Sequence, residues 1–579
     1  MRTTLTFLML LLLPVLGIAQ SNTPDKNAVR TPPLRRDYIP PTRIVHISDP
    51  SLVVNPEAIL SSNLGQGYLG GGKALKLIKK GDSSGLILID FGKELHGGLQ
   101  IITSQSNQNP AGRVRVRFGE SVGEALSNIG EHNATNDHAI RDQEILLPWL
   151  GLKEIGNSGF RFVSIEPVGE DAGISIQEVN AISVYRDIPY LGSFKSNDAR
   201  LNEIWNTGAY TVHVNMQEYL WDGIKRDRLV WLGDLHPEIM TVNTVFGYND
   251  VVPKSLDLIR DVTPLPGWMN GISSYSMWWV IIHRDWLYYQ GNYDYVKDNA
   301  DYMNKLLVHL ASKIDDSGKE ALDGMRFLDW PSSRNEKAIH AGLQSLMVMT
   351  FKAGADIGKA IKDKEMVKLC EQTLKKLSKH TPEITDNKQA AALLGISGIL
   401  PYKKVTNEVL AKGGPKGLST FYGYYMVQAQ TEGGDLKGAL DNIRQYWGGM
   451  LDLGATTFWE DFDMSWLENA ARIDEITPTG KVDVHATYGD HCYVGYRHSL
   501  SHGWASGPTA FLSRYVLGIE PVEPGFTKVR INPNLGDLQW VEGTFPTPHG
   551  LIKVKHTKKT DGSIDSTIEV PDGIKVLKN

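Results

Sequence analysis

The sequence predicts a multidomain chain: a central all-α (α/α)6 barrel flanked by an N-terminal β-sandwich and a small C-terminal β-domain. Three observations carry this. Apolar residues alternate from about residue 50 to 190. They then recur at the 3.6-residue helical spacing to about residue 515, and alternate again after Gly518. The 579-residue length asks for about two to four domains. A composition of 41% hydrophobic and 22% charged residues is that of a soluble globular protein.

The elements follow in order. Phe7 to Leu16 is a short apolar run interrupted by Pro14, and Gly17-Ile18-Ala19 gives a small-x-small cleavage pattern. Residues 1–19 therefore read as a signal peptide, too short to span a membrane. That predicts a secreted or periplasmic protein, and the absence of cysteine near the cleavage point argues against a membrane anchor. Residues 20–45 are rich in Pro and Arg and read as a mobile leader to a β-sandwich domain spanning 20–190. Its strands are runs such as Leu86 to Asp90, Leu99 to Ile102 and Arg113 to Phe118, separated by Gly and Asn/Asp clusters.

Helices dominate 191–516, clearest at Asp198–Glu218, Tyr295–Ser312, Lys337–Ile357 and Leu436–Tyr446. At roughly 25 residues per helix and loop, this block holds about twelve helices. Arranged in hairpins, they would form an (α/α)6 barrel. An irregular bundle or a solenoid is the alternative, although no fixed-period repeat supports a solenoid. Residues 517–579 alternate again, as in Phe526 to Ile531 and Leu551 to Lys555, and read as a β-domain capping the barrel.

The formal charge of -6 carries no nucleic-acid footprint. Cys370 and Cys492 read as buried free thiols, since a chain this long can rely on its core. The oligomeric state is not legible.

The densest chemistry lies in Trp221–Asp234. Asp222, Asp227 and Asp234, Lys225, Arg226 and Arg228, and Trp221 and Trp231 share fourteen residues. A folding core resists that mixture. A sugar cleft uses it, because carboxylates supply acid/base chemistry and hold hydroxyls while indole faces cover the apolar side of a pyranose. The competing readings are an N-cap role for Asp234 and surface pairing of Asp222 and Asp227, although a surface ion pair contributes only about 0–1 kcal/mol.

A second constellation, Gly454 to Asp463, places Glu460 after Phe458 and Trp459; alone it also fits an acidic helix start. A third carries His485, His491, His498 and His502. No HExxH or cysteine-rich spacing supports zinc there, so no metal is predicted. Twelve of the fourteen tryptophans fall in the helical block. Trp205 and Trp286 read as core. Trp231, Trp268, Trp330, Trp459 and Trp504, at helix ends, fit a pocket wall equally well.

Together these features resemble the α-L-rhamnosidases of glycoside hydrolase family 78, six-hairpin glycosidases. The family's Asp-x-x-x-Arg-(Asp/Glu) run and Gly-Trp-x-x-Asp element stand here as Asp222, Arg226, Asp227, Trp231 and Asp234, with Val230 in the glycine place. The motif Gly-Ala-Thr-Thr-x-Trp-Glu is intact at Gly454–Glu460, its downstream histidine matches His502, and Gly518 to Phe526 is similar to the run after the family's barrel. The likeness covers most of the chain from about residue 85.

The resemblance implies an exo-acting, inverting hydrolase of α-L-rhamnosyl linkages. Asp227 would be the general acid and Glu460 the general base. Asp222, Arg226, Asp234 and His502 would hold rhamnose hydroxyls, and Trp231, Trp279, Trp330 and Trp459 would line the pocket. It implies no cofactor, and a rhamnose-containing oligosaccharide, polysaccharide or glycoside as partner. Inversion calls for carboxyls about 6.5–9.5 Å apart.

Two departures stand out. Asp227 replaces the glutamate of many members and is one methylene shorter, about 1.5 Å. The chain also lacks the extra β-domains many relatives carry. The alternatives are another glycosidase on the same barrel, a lyase recruiting Tyr488, Tyr493 and His491, or a non-catalytic glycan-binding relative.

Overall fold

The computed structural model describes residues 34–577, apart from 62–64, 68, 70–72, 105–111, 171 and 492. The predicted signal peptide and Cys492 lie outside the described residues. Cys370 is a buried free thiol.

Ten strands between Leu34 and Arg186 form one sheet rather than two separately bonded ones. Its long members are Ile87–Thr103, Gly151–Val168 and Gly173–Arg186. The first half of Ile87–Thr103 pairs with Arg43–Ile47, and its second half pairs with Gly173–Arg186. Register shifts between Asp90 and Leu95 and between Gly97 and Leu99 let the strand bend from one layer to the other. At the bend only glycine fits: Gly97 has φ 144°, and a Cβ there would stand 2.0 Å from the Ile182 carbonyl oxygen. The folded sheet encloses its own core, including Ile89, Ile101, Val116, Phe160 and Val163.

The helical block begins where Asp198 accepts from the Arg200 and Leu201 N–H groups and caps Ala199–Asn215. The observed helices Glu336–Ile361 and Leu436–Asp452 run beyond the ends read from sequence. The helix expected over Tyr295–Ser312 is broken into Tyr293–Asp298 and Ala300–Ala311. Asn299 sits at the break, where the Tyr295 carbonyl accepts from its side-chain amide at 3.0 Å as well as from its backbone N–H at 3.2 Å.

Packing follows chain order. Ser273–Gln290 lies on Glu336–Ile361, which lies on Lys388–Ile396; then come Gly423–Glu432 and Leu436–Asp452. Leu436–Asp452 returns to the first helix, and the short helix Gly507–Phe511 packs on both Ala199–Asn215 and Leu235–Val245. The helical block therefore closes on itself.

Two small sheets complete the chain. One pairs Ile519–Pro521, Lys528–Ile531 and Lys575–Leu577; the other pairs Trp540–Thr547, Gly550–Lys558 and Ile564–Glu569 with Ser193–Ser196. Arg444 ties the helical block to this end, reaching Asp198 at 2.7 Å and Asp537 at 2.8 Å. Among the described residues, no helix is long and apolar enough to cross a membrane.

Candidate active site

Asp222–Asp234 joins the first helix to Leu235–Val245, and Phe458–Glu460 and Ser499–Trp504 run beside it. Gly223 bridges to His502, the Gly503 N–H donates to the Asp222 carbonyl at 2.8 Å, and the Glu460 N–H donates to the Ser499 carbonyl at 3.0 Å. These backbone bonds bring six charged or titratable side chains together. His502 Nε2 stands 3.4 Å from Glu460, 3.7 Å from Asp222 and 3.9 Å from Asp234. Arg226 pairs directly with Glu460 Oε1, and its other nitrogen lies 3.8 Å from Asp227 Oδ1.

The carboxyls are in different electrostatic states. Burial would push Glu460 up, but Arg226 and then His502 outweigh it and hold the carboxyl down at about 2. Burial pushes Asp234 up to about 7, against the pull of His502 and Tyr275. Asp222 is raised well above the ordinary carboxylate range by burial, Asp227 and Asp234. Glu238, one turn into the helix after Asp234, is fully buried and raised by burial, Asp234 and Asp222. Glu460 is thus held ionised beside Asp222, Asp234 and Glu238, whose carboxyls are all raised.

The capping alternative does not hold for Asp234, nor the surface-pairing alternative for Asp222. Asp234 makes no side-chain cap and instead accepts from Tyr275 Oη at 2.8 Å. Asp222 is 2% exposed and accepts from the Leu229 N–H at 2.9 Å, so it is no surface ion-pair partner.

Asp227 sits on a sharp turn. It and Arg228 both have φ 54°, and the Arg228 N–H donates to the Arg226 carbonyl at 2.8 Å. Left-handed non-glycine residues cost about 1–3 kcal/mol each and collect at functional sites. The Asp227 carboxylate accepts from Trp231 Nε1 at 3.0 Å, and its other oxygen lies 3.4 Å from His138 Nε2.

The remaining aromatic candidates divide. Trp330 donates to Tyr493 Oη at 2.6 Å and stacks on His491, while the Tyr493 ring lies under the Arg226 guanidinium at 4.5 Å. Trp330 is therefore one residue removed from the cluster. Trp459 is buried against Phe462 and His498. Trp279 is not brought to the cluster. It is fully buried, donates to the Leu256 carbonyl, and packs on His283 and Tyr302. That assignment is corrected to core packing, because the face of Ser273–Gln290 carrying Trp279 meets neighbouring helices.

Four contributors had no usable sequence signal. Tyr275 and His138 are single residues in unremarkable context, and Glu120 and Glu124 belong to the sheet domain. Lys225 is buried between those two glutamates, at 2.9 Å and 3.2 Å, and donates to the carbonyls of Tyr496 and His498. Glu120, Glu124 and His485 bring ligand atoms within 4.8 Å of one another, but the Lys225 ammonium already bonds both carboxylates. This lysine docks the sheet domain onto the loop carrying Arg226 and Asp227. Removing one member of a buried ion pair costs about 3–5 kcal/mol. Lys225→Met is expected to lower the thermal midpoint by about 5 °C, and to lose activity as the loop frees. An unchanged midpoint in scanning calorimetry would refute the docking role.

Residues 189–387 match the family described as the bacterial alpha-L-rhamnosidase 6 hairpin glycosidase domain, and 518–576 match the bacterial alpha-L-rhamnosidase C-terminal domain. An alpha-L-rhamnosidase of Alteromonas sp. (strain LOR) is 24% identical over 549 residues, covering 85% of this chain and 55% of the relative. Among solved structures, the GH78 rhamnosidase of Bacillus sp. GL1 superposes with TM-score 0.72 at 21% identity, covering 90% of this chain and 55% of that one. A rhamnosidase from Klebsiella oxytoca with rhamnose bound gives 0.62 at 19% identity, covering 83% and 96%.

Residues 189–387 are thus similar to a six-hairpin glycosidase domain. The two rhamnosidase domain matches occur in chain order, the first over the helical block and the second over the C-terminal sheets. The chain spans about half the length of the curated relative it matches.

Proposed function

We propose that this chain is an exo-acting, inverting α-L-rhamnosidase, with Asp227 as general acid and Glu460 as general base on an (α/α)6 barrel. The observation that carries the reading is Arg226, which pairs with Glu460 and stands 3.8 Å from Asp227. One guanidinium between two carboxyls holds them apart while keeping Glu460 ionised. The nearest oxygens can then be no more than about 9 Å apart, a span that accommodates an inverting pair with its water. In the proposed step, Glu460 takes a proton from water as that water attacks the anomeric carbon, and Asp227 gives its proton to the departing glycosidic oxygen.

Asp222, Asp234 and His502 would hold the hydroxyls of the terminal rhamnose, with Trp231, Trp330 and Trp459 around them. Closure of the helical block on its first helix and the match to a six-hairpin domain support the barrel. Division at residues 190 and 516, removal of residues 1–19, secretion or a periplasmic location, and a rhamnose-containing glycan as substrate belong to the same proposal.

The test is a panel of 4-nitrophenyl glycosides. The α-L-rhamnoside is expected to turn over at least about 100-fold faster than α-D-mannoside, α-L-fucoside or β-D-glucoside, since pockets that hydrogen-bond hydroxyls discriminate strongly. Preference for another sugar, or no turnover at all, would overturn the reading.

A further inference from the structure

A cavity of about 650 Å³ lies between the N-terminal sheet and the loop after the first helix. Asp227 lines it, together with His96, Asn157, Gln217, Trp221 and Arg228. Glu460, His502, Asp222 and Asp234 do not, so Asp227 forms the boundary between the carboxyl cluster and this second space. An acid that protonates a glycosidic oxygen must stand between the ring being released and the group that leaves.

The cavity carries polar groups that the fold leaves unused. His96 is 5% exposed; Asn157, Gln217 and the Val184 carbonyl stand beside its ring, but among the described residues none closes a hydrogen bond to either nitrogen. Gln217 donates to the carbonyls of Val184 and Val214, while its buried Oε1 has no partner among the described residues. Buried polar atoms left unpaired cost about 1–3 kcal/mol each, and call for a ligand or water.

The charges, by contrast, are taken up by the protein. Arg36 pairs with Glu154 at 2.6 Å and Lys254 with Glu218 at 3.2 Å. Arg228 donates to the carbonyls of Asn157 and His138, both at 2.8 Å. Apart from Asp227 at its boundary, what remains is uncharged. Burial, then Arg228, pushes His96 down to about 4, so its ring is neutral near pH 7. The volume lies within the range of small-molecule sites.

We infer that this cavity is the leaving-group subsite and takes a neutral pyranose of the substrate, whose hydroxyls bond His96 and Gln217 Oε1 against the Trp221 wall. The inference rests on the proposed rhamnosidase reading and deepens it: the sheet domain and the loop after the first helix share the aglycone contacts.

The experiment compares an α-L-rhamnosyl-D-glucose disaccharide with 4-nitrophenyl α-L-rhamnoside in wild type, His96→Leu and Asn157→Trp. His96→Leu keeps the volume and removes the polar ring, while Asn157→Trp changes an exposed strand residue and narrows the mouth. In both, kcat/KM for the disaccharide relative to the aryl substrate is expected to fall at least about 10-fold. Should His96→Leu fail to fold, Asn157→Trp reads the same ratio. An unchanged ratio in folded variants that still cleave the aryl rhamnoside overturns the subsite and leaves the rhamnosidase reading standing. If wild type cleaves neither substrate, the rhamnosidase reading fails and the subsite with it.

Discussion

Glu460→Gln is expected to lower kcat on 4-nitrophenyl α-L-rhamnoside by about ten-thousandfold, the upper range for loss of general-base catalysis. The amide keeps the volume and cannot accept the water's proton. It also leaves Arg226 without its carboxylate and His502 without its nearest acidic neighbour. The pH behaviour should change with it. The Glu460 carboxyl sits at about 2 in the fold, below its ordinary 4.5. Its contribution to stability is therefore fully present above about pH 4.5 and is lost as pH falls through about 2. Wild type should show this acid-side loss in thermal midpoints between those values, and Glu460→Gln should not. Activity above one tenth of wild type would remove Glu460 from the base role.

Asp227→Asn is expected to show a loss graded by leaving group. For a rhamnosyl disaccharide, whose departing alkoxide needs a proton, kcat/KM should fall about a thousandfold or more. For 2,4-dinitrophenyl α-L-rhamnoside, whose leaving group departs as a stable anion, the loss should stay within about tenfold. The asparagine can still sit between Trp231 Nε1 and His138, so the turn at Asp227 and Arg228 is kept. Equal losses on both substrates would assign Asp227 to binding rather than proton donation.

Much of this site was legible because its residues conflict with burial. Asp222, Arg226, Asp234, Glu460 and His502 are all 5% exposed or less. A chain places such groups inside only where they neutralise one another or serve chemistry. Their charge density in sequence was therefore a signal in itself. The conflict does not extend to neutral or remote residues. Tyr275 and Tyr493 look like ordinary core aromatics until tertiary packing brings them to Asp234 and Arg226. His138, Glu120 and Glu124 act only because the sheet domain docks on the loop. Trp279 was carried over from the resemblance, which does not say which face of a buried helix meets the pocket.

The fold shows the same division. Periodicity located the sheet, helical and C-terminal regions. It did not reveal that bulged strands carry one sheet through both layers, nor that a helix is divided at Asn299. Ser193–Ser196, between the first sheet and the helices, gave no sign that it joins the C-terminal sheet, because its pairing partner lies some 350 residues away. Asp227 is the sharpest case. Its identity suggested a shortened acid, but only the structure shows the left-handed turn, the Trp231 hydrogen bond and the His138 contact that fix where the shorter carboxylate stands.

The most direct test of the central claim is proton NMR of the first-formed sugar during hydrolysis of an aryl α-L-rhamnoside by the wild-type chain. An acid and a base on opposite sides of the bond predict that β-L-rhamnose appears first and then mutarotates. Initial α-L-rhamnose, or no rhamnose at all, would contradict the assignment of Asp227 and Glu460 as an inverting pair.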